Sequence, residues 1–118
     1  MRPIFMVCCA LALSSCGKGT EAPVDQAASL SPFEVKLAAL NDNGRNLAFR
    51  NAIRDTGFKC ERVDRSVLQQ RIKASAMWVA HCTDTGSHAL FLGSAGYAEI
   101  RRCEDLKGSQ APECKPLQ

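Results

Sequence analysis

Long apolar runs are missing from these 118 residues. The longest mostly apolar stretch, residues 3–13, has eleven residues, where a helix needs about 20 to cross the hydrocarbon core of a bilayer. That excludes a polytopic helical membrane architecture. Aromatics are scarce too, with one Trp, one Tyr and five Phe available for a core. Charge is nearly balanced, 15 Lys and Arg against 12 Asp and Glu, so the dense positive field of a dedicated nucleic-acid binder is lacking. There is no Gly-rich phosphate loop, and Gly93-Ser94-Ala95-Gly96 lacks the Gly-x-Ser-x-Gly spacing of a nucleophile elbow. No two cysteines stand in the Cys-x-x-Cys pairing that zinc sites favour. What is abundant is cysteine itself: seven in a chain with room for one small domain. Hydrophobic residues at 46% and charged residues at 23% make that domain globular, not disordered.

Arg2 supplies a positive start, and the apolar run of residues 3–13 follows it, with the length and flanks of a secretory signal. Next comes Leu13-Ser14-Ser15-Cys16: a branched apolar residue, two small residues and a cysteine. This junction resembles the lipobox of bacterial lipoproteins. The resemblance covers sixteen residues and speaks to processing alone. It implies cleavage before Cys16, lipidation of the Cys16 thiol and acylation of the new amino group. Several acyl chains at about 0.8 kcal/mol per buried methylene then hold a protein firmly on a bilayer. Gly17 stands where an Asp would imply retention in the inner membrane of enteric bacteria, so the resemblance points to the outer membrane. An ordinary signal cut after Ala10-Leu11-Ala12 is the plainer alternative, but it leaves a very short apolar region. Cys8 and Cys9 are discarded with the signal in either case.

The expected organisation is a signal over 1–15, lipidated Cys16 with a flexible tether over 16–30, and a single small α+β domain over 31–118. The tether is small and polar without apolar period, with a reach of roughly 20–25 Å. Ser31, Pro32 and Glu34 predict a helix start with N-cap, first-turn proline and capping box. Leu30 and Val35 have the spacing of a hydrophobic staple, and Phe33, Leu37 and Leu40 continue at helical period. Asn41-Asp42-Asn43-Gly44 interrupts that pattern. A second helix is expected from about Arg45 to Asp55, with Ala48, Phe49, Ala52 and Ile53 on one face and Gly57 at its end. Beyond Gly57 the period becomes two. Strands are expected over 58–63, 76–82, 88–92 and 97–103, with turns at 83–87 and 93–96. Residues 66–75 are expected as a short helix or an ordered loop, and 108–118 as an irregular tail. The fold class is therefore one or two N-terminal helices packed on a small antiparallel sheet of three to four strands.

Cys60, Cys82, Cys103 and Cys114 remain for this domain, an even number that reads as two disulfides in an exported chain. Four cysteines allow three pairings. Cys60–Cys82 with Cys103–Cys114 is favoured, because antiparallel neighbours bring the first two together and short loops close at lower entropic cost. Cys60–Cys103 with Cys82–Cys114 follows instead if the first and last strands are neighbours. A metal site from these cysteines with His81 and His88 is weaker, since His81 and Cys82 are adjacent and point to opposite faces of a strand. His88 reads as a polar strand-edge residue. The Asn41–Gly44 segment fails as a calcium loop: aligning Gly44 puts Ala39 and Arg50 at the first and last ligand positions. Ser87, His88 and Asp84 are too close in sequence to form a triad. No catalytic residue, cofactor or metal is therefore assigned, and the chain is expected not to be an enzyme.

Arg50, Arg54, Lys59, Arg62, Arg65, Arg71 and Lys73 crowd seven cations into 24 residues. With Asp55, Glu61 and Asp64 interspersed, this stretch reads as a solvated surface in preference to a site for an anionic partner. Trp78 sits mid-strand and reads as core. The expected function is that of an envelope lipoprotein acting as a small binding or accessory module. Its partners are the bilayer, through acylated Cys16, and an envelope protein or anionic envelope component, with no nucleic acid. The alternative is an inhibitor of a wall-degrading enzyme. Some bacterial lysozyme inhibitors are lipoproteins of this size, but they are β-barrels, and the helical start departs from that pattern. A small hydrolase comes third.

Overall fold

A computed structural model of the protein describes residues 30–72 and 75–117. The signal, Cys16 and the tether up to residue 29 lie outside the described residues, as does Lys73. Helix α1 (Pro32–Ala39) begins as its sequence dictates: Ser31 Oγ accepts from the Glu34 amide at 3.1 Å, and Glu34 Oε2 accepts from the Ser31 amide at 3.2 Å. The other carboxylate oxygen of Glu34 takes Arg71 Nη1 at 2.9 Å, so this buried acid has charge and hydrogen bonds satisfied together. The staple contributes little, because Val35 stays 52% exposed.

Helix α2 (Asp42–Asp55) starts three residues earlier than expected. Asn41 is its N-cap and accepts from the Gly44 amide at 2.8 Å, so the polar Asn41–Gly44 segment opens the second helix while separating it from the first. Its end agrees with the sequence, Gly57 standing past the C-cap at a φ of 96°, which an L side chain rarely adopts. Phe49, Ala52 and Ile53 are its buried face.

Four antiparallel strands, β1 (Val63–Ile72), β2 (Ser75–Cys82), β3 (Gly86–Gly93) and β4 (Gly96–Arg102), form one sheet in sequence order. The α+β class with helices on an antiparallel sheet is thus observed. Two local expectations fail. Residues 58–60 carry no strand, and the stretch expected as helix or loop over 66–75 is mostly β1. The physical reason is register. β1 pairs with β2 through irregularities at Val63/Arg65 and Leu68/Gln70, and each extra residue breaks the period-two signal. The second irregularity leaves Gln69 without a partner in β2. Its amide reaches the C-terminal segment instead, donating to Glu113 O at 3.0 Å and accepting from the Lys115 amide at 2.8 Å. At the far edge, Cys103 leaves the sheet to begin a 3-10 turn, Cys103–Leu106.

The sheet is covered on both faces. Leu37, Phe49 and Ile53 pack with Ala76, Ala80, Cys82, Leu90 and Leu92 on the helix side. On the other side Met77, Val79 and Ala89 are fully or almost fully buried against Leu106, with Ala111, Cys114 and Leu117 packed beside them. The irregular tail is therefore a docked layer. Covering both faces is why β2 and β3 bury consecutive residues instead of every second one. Cys60 bonds Cys82 and Cys103 bonds Cys114. The sequence expectation that the first bridge joins two neighbouring strands fails: Cys60 precedes β1, and the bridge fastens that segment to the end of β2.

Candidate functional site

Successive turns of α2 place Asn43, Asn46, Leu47, Arg50 and Arg54 along the flank beside its buried stripe. Opposite them runs segment 58–62, held as a rigid strap. The Cys60–Cys82 bond fixes its middle. Three hydrogen bonds fix it to the β2–β3 turn: the Glu61 amide to Asp84 Oδ1 at 2.8 Å, Thr85 Oγ1 to Lys59 O at 2.7 Å, and the Thr83 amide to Arg62 O at 2.9 Å. Between strap and helix lies a groove of about 560 Å³ lined by Asn43, Asn46, Leu47, Arg50, Arg62 and Val63 among others. A second hollow of about 470 Å³ continues it past Arg54 and Lys59, with Arg50 and Glu61 common to both.

Four cations, Arg50, Arg54, Lys59 and Arg62, line the two hollows against two acids, Glu61 and Asp84. Arg50, Arg54, Lys59 and Arg62 form no salt bridge among the described residues. Of the acids that the sequence intersperses among them, Asp64 is engaged elsewhere. Asp64 pairs with His81 at 2.8 Å, and that hydrogen bond, aided by the imidazole charge, holds its carboxyl below the usual range. Asp84 is likewise lowered, first by the bond from the Glu61 amide. Arg50 Nε is buried with no hydrogen-bond partner, so part of this side chain is withdrawn from solvent. The expectation of a merely solvated basic surface therefore does not describe Arg50. Arg65 lies in a separate, smaller hollow, and Arg71 belongs to the Glu34 pair.

The four domain cysteines are where the favoured pairing puts them, with Cα separations of 5.3 and 5.6 Å. His81 and Cys82 do not converge: the histidine meets Asp64 and the cysteine is buried in its bridge. Among the described residues no group of three or more His, Cys, Asp or Glu side chains is placed to hold a metal ion. Trp78 is half-buried, 5.2 Å from Phe49 by ring centroids, with the Arg45 guanidinium 5.5 Å over its ring.

His88 corrects the sequence reading outright. It is fully buried, facing Phe58 at 5.3 Å and Cys82 Sγ at 3.6 Å, because alternation along β3 puts it on the same side as Leu90 and Leu92. A carbonyl can only accept, so Nδ1 carries the proton toward Gly86 O at 3.2 Å, and buried Nε2 is left without a partner. Burial pushes the imidazole below its ordinary 6.5, and Arg102 acts in the same direction. Below about pH 6.5 the unfolded chain takes up a proton that the folded chain refuses, so stability is full above that pH and falls beneath it. The slope is up to about 1.4 kcal/mol per pH unit. Urea melts at pH 7.5 and 5.0 should show this loss in the wild type and a smaller one in His88→Leu; equal losses would remove the assignment.

Comparison with known protein families, curated proteins and solved structures finds no match for the chain. The groove's own chemistry is thus what indicates its use. Its cations outnumber its acids, and it suits a ligand that brings negative charge.

Proposed function

We propose that the protein is a lipid-anchored envelope protein that works by binding, with the groove between α2 and the strap as its contact surface. The observation that carries this reading is the set of four cations, Arg50, Arg54, Lys59 and Arg62, without an ion pair among the described residues, along a wall that a disulfide fastens to the sheet. A preformed wall lowers the ordering cost of association. Anchoring through Cys16 rests on the Leu13-Ser14-Ser15-Cys16 junction. The anchor would deliver the domain to a surface where partners are concentrated.

Two measurements test the two halves. Cys16→Ala should abolish palmitate labelling and release the chain from the membrane fraction; continued labelling and flotation would remove the anchor. A photo-crosslinker at Leu47, 52% exposed on the groove, should capture a stoichiometric partner in intact envelopes. The same group at Leu40, exposed near the end of α1, should not. No capture at Leu47, or equal capture at both, defeats the groove as the contact surface.

A further inference from the structure

We infer that the groove takes an extended acidic polypeptide segment with carboxylates on alternate residues, one on Arg50 and Arg62 and the next on Arg54 and Lys59. The inference rests on the groove being a binding surface and names what it binds. The spacing argument comes first. Four residues of helix rise about 6 Å, which separates the stems of Arg50 and Arg54. Alternate residues of an extended chain are about 6.6 Å apart and share a face. An acid-x-acid segment therefore registers on the helix, whereas adjacent acids point to opposite sides.

The chemistry of the walls selects the same ligand. Arg50 is the cation common to both hollows, so its guanidinium can serve a ligand that runs through them. A guanidinium fork fits a carboxylate through two parallel bonds. Glu61, exposed on the strap and common to both hollows, offers acceptor oxygens that a peptide N–H can use. Leu47 and Val63 add aliphatic contact for the segment's own side chains. A sugar polymer is less well served, because no aromatic ring lines the larger groove for stacking. A flat anionic bilayer fits less well still, because it cannot follow a concave wall.

The test uses the full lipidated chain in uncharged detergent and two twelve-residue peptides of equal length and charge. One alternates Glu with Ala. The other carries its glutamates in adjacent pairs separated by pairs of alanines. Calorimetry should give saturable binding of the alternating peptide, about tenfold tighter than the paired one. The Arg50 Nε–H resonance should move on addition. Arg50→Gln should lower the affinity about tenfold with an unchanged melting temperature, whereas Lys107→Gln, an exposed change of equal charge, should not. Arg50→Lys, which keeps charge but loses the fork, should fall between. Equal affinity for the two peptides would reduce the effect to general attraction and overturn the inference. So would an unaffected Arg50→Gln, or binding of phosphatidylglycerol vesicles or heparin with both peptides silent. If both peptides fail while a crosslinker at Leu47 still captures a partner, this inference falls and the binding reading stands; if both experiments fail, both fall.

Discussion

Replacing Cys60 and Cys82 together by alanine is expected to destabilise the domain by at least about 3.4 kcal/mol. A bridge spanning 22 residues removes that much chain entropy from the unfolded state. The deletion also exchanges two buried sulfurs for small cavities among Val63, Ala80 and Leu90. Removing Cys103 and Cys114, 11 residues apart, is expected to cost about 2.8 kcal/mol by the same relation. The two double variants should differ in kind as well as size. Without the first bridge the strap keeps its hydrogen bonds to Thr83, Asp84 and Thr85 but loses its covalent tie to the sheet, so the groove wall loosens. Without the second the groove keeps its shape while the opposite face of the sheet is uncovered. Urea midpoints measure the energies, and exchange of the Glu61 and Thr83 amides reports the strap. Equal losses, with Glu61 equally protected in both variants, would contradict this division of labour.

Phe49→Ala is expected to cost about 3–5 kcal/mol, a large fraction of what a domain of this size can hold. Phe49 is fully buried and joins the few aromatics the chain has: Trp78 at 5.2 Å and Tyr97 at 6.4 Å, with Tyr97 in turn 5.0 Å from Phe33 of α1. Deleting this ring removes the link between α2, the sheet and α1 at once. The tryptophan reports it directly, since Trp78 would lose a packing partner and its fluorescence should shift toward that of a solvated indole. Leu47→Ala on the outer side of the same helix is expected to change stability by less than about 0.5 kcal/mol. A Phe49→Ala loss below about 1.5 kcal/mol would mean that the core does not depend on this cluster.

The parts of the fold that announce themselves in sequence are those built by local chemistry. Ser31, Pro32 and Glu34 make a helix start through contacts three residues apart, and the apolar run of β2 with its following turn makes a hairpin. β1 was not legible, since Leu68, Gln69, Gln70 and Arg71 are ordinary helix formers and only pairing with β2 overrides that preference. The strap fails in the reverse sense. Its alternation of Phe58 and Cys60 imitates a strand, but a disulfide and turn hydrogen bonds hold it instead of a ladder. His88 was recoverable, because its place two residues before Leu90 already marks it as core-facing. The groove was half legible. The cations are evident in the sequence, but that Asp64 turns to His81 and leaves them unpaired is a tertiary fact. The tail gave no periodic signal, as Leu106, Ala111, Cys114 and Leu117 are isolated apolar residues that acquire meaning only against a sheet.

The order of synthesis gives that tail a particular importance. Every strand leaves the ribosome before residues 103–117 do, so Met77, Val79 and Ala89 emerge with no cover and must wait for Leu106 and the residues after it. Through that interval the nascent chain carries a greasy, pleated surface of the kind that chaperones retain and that other unfinished chains adhere to. A stop codon just after Arg102 would leave all four strands and both helices encoded, yet yield a product that clumps.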